Sequence, residues 1–301
     1  ILDLDDTSPL MMGHPTVLVL PAVLAVGEAL NSSGEEIIKA YLAGVEVACQ
    51  LANCFVDKIH AAGWHATGVL GSISAACACG VLMSFTAEQF RHAIGAAASL
   101  SCGFRANFGT PTKPLHVGIA CQNGVLVAQM VQHGLTSSIH ALDGEEGFIR
   151  LFTGESYEEA KTEKLAAVLG RPYAISDPGF TLKAYPSCSS NHRALGAMTK
   201  LLENHPVAAE DVVKIESHMS ISALRELVTP DPKTGVEARF SPGFHFALAI
   251  LGIPIAPAAF CQEMVMDPKV QRLIKATELI HEPELDGIPN MGTGPAYVKV
   301  F

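Results

Sequence analysis

The sequence predicts a mainly α fold, a large all-helical domain followed by a smaller α+β domain. Three observations carry that expectation. Long apolar stretches with helical spacing fill the chain up to about residue 170. Two Ser/Thr-x-x-Glu/Gln start signals sit among those stretches. Clear β alternation is found only after about residue 212.

Taken in order, residues 17–30 (VLVLPAVLAVGEAL) read as an apolar helix. Ser33 with Glu36 forms a capping box. It opens a helix to about Ile59 whose apolar stripe runs through Ile37, Tyr41, Val45, Ala48, Ala52 and Phe55. Residues 66–87 carry no charge and are long enough to span a bilayer, but Gly, Ala, Ser and Cys dominate them and no Lys or Arg closely flanks them. A tightly packed core helix fits better. Thr86 with Gln89 makes the second capping box, ahead of a helix over 90–103. Residues 115–133 form another long apolar helix, closed by Gly134. Beyond 178–185 the pattern changes: 212–220 (VVKIESHMS) and 296–301 (AYVKVF) alternate like strands, with helices expected over 189–204, 241–252 and 268–279. The expected domains are 1–178, all-helical, and 179–301, α+β. The interrupted patterns at both ends suggest an internal portion of a longer protein.

Bulk properties narrow the function. Hydrophobic residues make up 49% of the 301 and charged residues 17%, so much apolar surface must be buried in a large core or against another subunit. A homo-oligomer is expected. Net charge is −10 with no basic run, which argues against nucleic-acid binding. The eight cysteines form no CxxC pair and lie mostly in apolar windows, as expected of reduced, buried thiols in a cytoplasmic protein. No membrane association and no signal peptide are expected.

The opening ILDLDDT carries an Asp-x-Asp-x-Thr element of the kind haloacid-dehalogenase-type phosphatases use, but no later acidic pair and no βαβ alternation accompany it. Walker A, GxGxxG and HExxH motifs are absent, so no nucleotide, cofactor or metal is expected. Three stretches place polar groups in apolar surroundings at helix starts: GWHAT (63–67), GTPTKPLH (109–116) and LKAYPSCSSNH (182–192). Helix N-termini favour anions, and Lys and His converging there suit a di- or tricarboxylate. Each stretch also has an ordinary structural explanation: a His before a helix is commonly a cap, and a Lys in a loop a solvated charge.

Together, LDLDDT, GHPTVLVLPA, GWHATGVLG, GTPTKPLHVG, KAYPSCSSNH and TGVEARFSPGF resemble, in order and over nearly the whole chain, the MmgE/PrpD family. That family includes 2-methylcitrate dehydratase, cis-aconitate decarboxylase and iminodisuccinate epimerase. The resemblance implies an all-helical domain with an α+β lid, a homodimer, and a site in the cleft between the domains. It also implies that segments at both ends of the family's usual length are missing here.

Carried over by motif, Asp3 and Thr7 match the Asp and Thr of the family's LDFDDT-like element, and His14 the His of the following HP pair, across a loop one residue longer. His65 matches a second histidine, and Lys113 and Lys183 match two lysines. Cys188 stands where the decarboxylase branch has a His, and Phe244 where it has a Tyr. The expected roles are an acid/base pair in His14 and His65, ammonium clamps in Lys113 and Lys183, and substrate contacts from Asp3, Thr7, Cys188 and Phe244, with Asp3 orienting His14. The expected function is a lyase, dehydratase or decarboxylase, on a small polycarboxylate. An epimerase is the alternative within the family; a catalytically silent dimeric scaffold or ligand-binding protein is the alternative outside it.

Overall fold

The computed structural model describes residues 3–155, 165–287 and 295–301. The chain separates into two compact units. A helical unit comprises Asp6–Ala106 and Thr112–Thr181, and an α+β unit comprises Ile1–Asp5, Asn107–Pro111 and Leu182–Phe301. The second unit thus takes two short pieces from the first half of the sequence, which a single cut near residue 178 does not anticipate. Each is held there by residues distant in sequence: Asp5 by Lys183, and Phe108 by the Phe240 ring at 6.2 Å.

In the helical unit a two-residue strand, β1 (Asp6–Thr7), precedes α1 (Pro15–Leu30), α2 (Gly34–Ala61), α3 (Ala66–Leu82), α4 (Ala87–Ala98) and α5 (Thr112–Gln132). Two short helices, α6 (Phe148–Thr153) and α7 (Leu165–Val168), follow. Both capping boxes form as expected, Ser33 with Glu36 and Thr86 with Gln89. The Ser or Thr oxygen takes one free amide of the first turn while the Glu or Gln side chain takes the amide of the cap residue.

The charge-free helix α3 is buried at every position from Ala66 to Gly80. An all-round apolar helix must be surrounded, and here α1, α2, α4 and α5 surround it. Its small residues set how closely they approach: a methyl group at Gly71 would lie 2.6 Å from Leu18 and 2.7 Å from Ala120. Fully burying Leu70 and Ile73 on this helix contributes roughly 1.5–3 kcal/mol each. No described helix is long and apolar enough to cross a membrane.

Helix α4 stops at Ala98, short of the expected 103. The Ser99 and Ser101 hydroxyls turn back onto the Gly95 and Ala97 carbonyls, and the chain leaves through Gly103 at φ 129°. That exit lets Trp64 pair with Phe104 and the Arg105 amide donate to the Gly63 carbonyl. Gly134 closes α5 at φ 95° as expected. Residues 156–164, read as part of the helical region, lie outside the described residues.

The α+β unit begins in β2 (Thr181–Leu182), which straddles the unit boundary, and continues with α8 (Ser189–Asn204), β3 (Ile215–Met219), α9 (Ile221–Glu226), α10 (Gly235–Ala238) and α11 (Pro242–Ile250). Then come α12 (Gln262–Val265), α13 (Pro268–Lys275), β4 (Thr277–His281) and β5 (Tyr297–Val300). Strand β3 is central, parallel to β4 and antiparallel to β5. The helix expected over 268–279 gives way after Lys275 to β4, which pairs Ile215 with Thr277 and Met219 with His281. Tertiary pairing overrides the helical spacing there. Helix α11 packs on both α8 and α13, and all three pack on the sheet, around Phe240, Phe244, Phe246 and Leu273. The whole is mainly α, as the sequence predicts.

Candidate active site

His14 and His65 hold equivalent positions in the helical unit, each the residue that starts a long helix, α1 and α3. The His14 amide donates to the Thr67 hydroxyl, 3.3 Å away, which ties the two helix starts together. Gly13 makes that approach possible, since a methyl group there would fall 2.7 Å from the Thr67 oxygen. The His14 ring is held at Nδ1, 3.0 Å from the Asp6 main-chain oxygen. A carbonyl accepts and does not donate, so Nδ1 carries the proton. Thr7 sits on β1, its hydroxyl donating to the Thr181 carbonyl at 3.4 Å.

His65 is 3% exposed, and its Nδ1 lies 3.2 Å from Nδ1 of His116. Lys113, 7% exposed, stands one turn before His116 on α5. Burial pushes the His65 imidazole well below its ordinary range, and the Lys113 ammonium, then His14, His116 and His60, push it further the same way. Burial and then Lys113 lower His116 too. A helix N-terminus also disfavours a cation. His65 is therefore a neutral imidazole at neutral pH beside a buried ammonium group. In a desolvated site such a base accepts a proton at a cost the surroundings set, and a bound anion changes that cost.

In the α+β unit Lys183 is not a lone cation. Its Nζ is 3.0 Å from the Asp5 carboxylate and 3.8 Å from that of Asp3. Arg239 binds the other Asp3 oxygen at 2.9 Å. Asp3 adopts a left-handed backbone, φ 53°, to present its carboxylate there. Two carboxylates and two cations thus form one buried network. In it the Asp3 carboxylate serves Arg239 and Lys183, while the His14 ring is bound to the Asp6 carbonyl.

Cys188 precedes α8, its amide donating to the Arg239 carbonyl and its thiol 3.8 Å from a Glu226 oxygen. The Ser190 hydroxyl donates to the same Glu226 oxygen. Phe244 is wholly buried, between the rings of Phe260 at 5.4 Å and His245 at 6.0 Å. It is a core residue of this unit. Two further histidines are held neutral nearby: burial and then Lys183 take His192 down to about 4, and burial and then His192 take His245 down to about 4.

Asp5, His116, His192, Glu226 and Arg239 were not among the expected site residues. Four of them had a signal. Asp5 lies in LDLDDT, His192 in KAYPSCSSNH and Arg239 in TGVEARFSPGF, and His116 follows Lys113 at the spacing that shares a helix face. Glu226 had none. Among the described residues no group of three or more His, Cys, Asp or Glu is placed to hold a metal ion. The cysteines are free thiols; five are buried and Cys102 is exposed, unlike the general expectation. Burial lifts Cys49, Cys77 and Cys79 to about 12, which makes them poor nucleophiles.

Residues 1–160 match the model of the MmgE/PrpD N-terminal domain, and residues 185–300 that of the MmgE/PrpD C-terminal domain. The chain is 27% identical over 294 residues to the cis-aconitate decarboxylase of Mus musculus, covering 94% of this chain and 59% of that protein. It is 26% identical over 300 residues to that of Homo sapiens, covering 96% and 60%. With the cis-aconitate decarboxylase of Aspergillus terreus (strain NIH 2624 / FGSC A1156) it shares 29% over 216 residues, covering 68% and 43%. The chain therefore spans at most about three-fifths of the length of these relatives.

Proposed function

The chain belongs to the MmgE/PrpD family, and from that premise we propose that its whole protein is a lyase moving a proton next to a carboxylate of a small di- or tricarboxylate. One observation carries the proposal: His65, neutral and buried, touches His116 and feels Lys113 and His14 in the same helical unit. The name of its relatives, cis-aconitate decarboxylase, supports a lyase reaction on a polycarboxylate.

Forming a carbanion or enediolate beside a carboxylate is the difficult step, and a fixed cation relieves it. Lys113 is the group to bind the substrate carboxylate as an ammonium donor, and His65 the group to exchange the proton at carbon. His14, with Nδ1 bound to Asp6, presents Nε2 as its partner in acid/base work. Thr7 supplies a hydroxyl donor in the same helical unit, whereas Lys183, in the α+β unit, is bound by Asp5 and Asp3. Loss of hydroxide after deprotonation gives a dehydratase; loss of CO₂ followed by protonation gives a decarboxylase. The cysteine at 188, paired with Glu226 where the decarboxylase branch has a histidine, favours the second reading, an epimerase that returns the proton to the opposite face. The low charge and the exposed Leu115, Ile119, Leu126 and Met130 of α5 support a homodimer, and the composition supports a cytoplasmic protein.

The test is to incubate the protein in D₂O with cis-aconitate, methylcitrate or iminodisuccinate and follow substrate and product by NMR. Deuterium enters one of them, and His65→Gln or Lys113→Ala abolishes its entry with the circular dichroism spectrum unchanged. Turnover kept by either clean variant removes these residues from the chemistry.

A further inference from the structure

Two imidazole nitrogens 3.2 Å apart must share one proton: two lone pairs at that distance repel, and so do two N–H groups. The His65–His116 contact therefore couples their tautomers. Where His65 donates from Nδ1, its Nε2 keeps a lone pair and is a base. Where His65 accepts at Nδ1, its Nε2 carries the proton and is not.

The contact is also confined. The His65 amide donates to the Gly103 carbonyl at 3.0 Å, so Gly103 fixes the start of α3. The His116 ring lies against the same glycine, where a methyl group would meet its Nδ1 at 3.2 Å. On its other side a methyl group at Gly68 would meet the His116 Cβ at 3.2 Å. One short loop and one turn of α3 thus hold both rings at 5.4 Å between centroids with planes 50° apart. His65 is buried while His116 is half-buried. The less exposed ring is the one whose tautomer needs a fixed protein partner.

Resting on the acid/base role given to His65, we propose that His116 is a positioning residue, its Nδ1 lone pair accepting the His65 Nδ1 proton and leaving His65 Nε2 as the base. Such partners orient an imidazole ring and choose its tautomer; for metal-bound histidines their loss costs on the order of 10–100-fold, and a loss of that order is expected here. His60, His14 and Lys113 are the other titratable neighbours of His65, and all of them favour its neutral form.

The experiment is long-range ¹⁵N–¹H NMR of the histidine rings in the protein at neutral pH, with His65 assigned by its disappearance in His65→Gln. Wild type shows His65 protonated at Nδ1 and bare at Nε2. His116→Phe keeps the ring volume, removes the acceptor, and shifts His65 toward the Nε2–H tautomer. His116→Asn returns an acceptor oxygen near the Nδ1 position and restores the wild-type pattern. In the deuterium assay His116→Phe lowers kcat by about 10–100-fold with little change in KM, and His116→Asn recovers most of it. A wild-type His65 bare at Nδ1, or one whose tautomer is the same in His116→Phe, overturns the proposal. The tautomer measurement needs no substrate. The predicted tautomers in a protein that exchanges no deuterium would refute the lyase function and leave the His116 assignment standing.

Discussion

Acid should weaken the α+β unit through its buried histidines, and replacing His245 by Phe should remove a defined part of that weakness. The His245 ring is fully buried and its Nδ1 lies 2.7 Å from the Ser241 carbonyl, so it is neutral with the proton on Nδ1. Burial holds its pKa at about 4 against 6.5 for an ordinary histidine. Because the folded value is depressed, the unfolded chain takes up a proton first as pH falls. Stability is intact above about pH 6.5, declines between 6.5 and 4, and levels off below. At 1.36 kcal/mol per unit, this residue costs about 2 kcal/mol by pH 5 and about 3 kcal/mol in full. His245→Phe keeps the apolar volume between Phe244 and Phe260, and Ser241 still accepts the backbone amide of residue 245 at 3.4 Å. Urea unfolding followed by circular dichroism at pH 7 and pH 5 measures the difference. Carboxylates and other histidines common to both proteins cancel. The variant should lose about 2 kcal/mol less than wild type between the two pH values. Equal losses would show that His245 is not the buried neutral group described.

Other consequences are as direct. A methyl group at Gly124 would lie 2.3 Å from the Ala75 Cβ, whereas one at Gly118 on the same helix meets nothing within 4 Å. Gly124→Ala should therefore cost about 1–3 kcal/mol and Gly118→Ala gain about 0.5–1 kcal/mol in urea unfolding. Shifts of the same sign would contradict the packing of α3 on α5. The buried Glu46 carboxylate accepts the amides of Gly170 at 2.8 Å and Ala174 at 2.7 Å. Glu46→Gln turns one acceptor into a donor facing a donor, at about 1–3 kcal/mol, and hydrogen exchange at those two amides should accelerate while α3 stays protected. Lys113→Met should raise the His65 midpoint in an NMR titration, yet leave it below the ordinary histidine range because burial is the larger cause. No movement would mean that the ammonium group is not its electrostatic neighbour.

Much of the helical unit was legible because its signals are local. Ser33 with Glu36 and Thr86 with Gln89 are four-residue patterns that set helix starts with little help from elsewhere. The charge-free stretch was readable as a core helix because small residues, not leucines, fill it. The end of α4 and the strand β4 were missed for the opposite reason. Their conformations depend on partners far away in sequence, the 63–65 turn in one case and β3 in the other. Of the expected site residues, Lys113 and His14 act on His65, while Phe244 lies in the core. The ion network around Lys183 was illegible, since Asp5 and Arg239 are separated from it by 178 and 56 positions.

By itself the sequence determined which long segments are helical, where most of them start, and which motifs carry ionisable groups, since hydrophobic period and capping act over a few residues. The tertiary structure decided the protonation states and the partners. A pKa depends on what buries a group and on the charges beside it. The contact of His65 with His116, the pairing of Lys183 with Asp5 and the packing of Phe244 on Phe260 are made with neighbours outside the local sequence pattern.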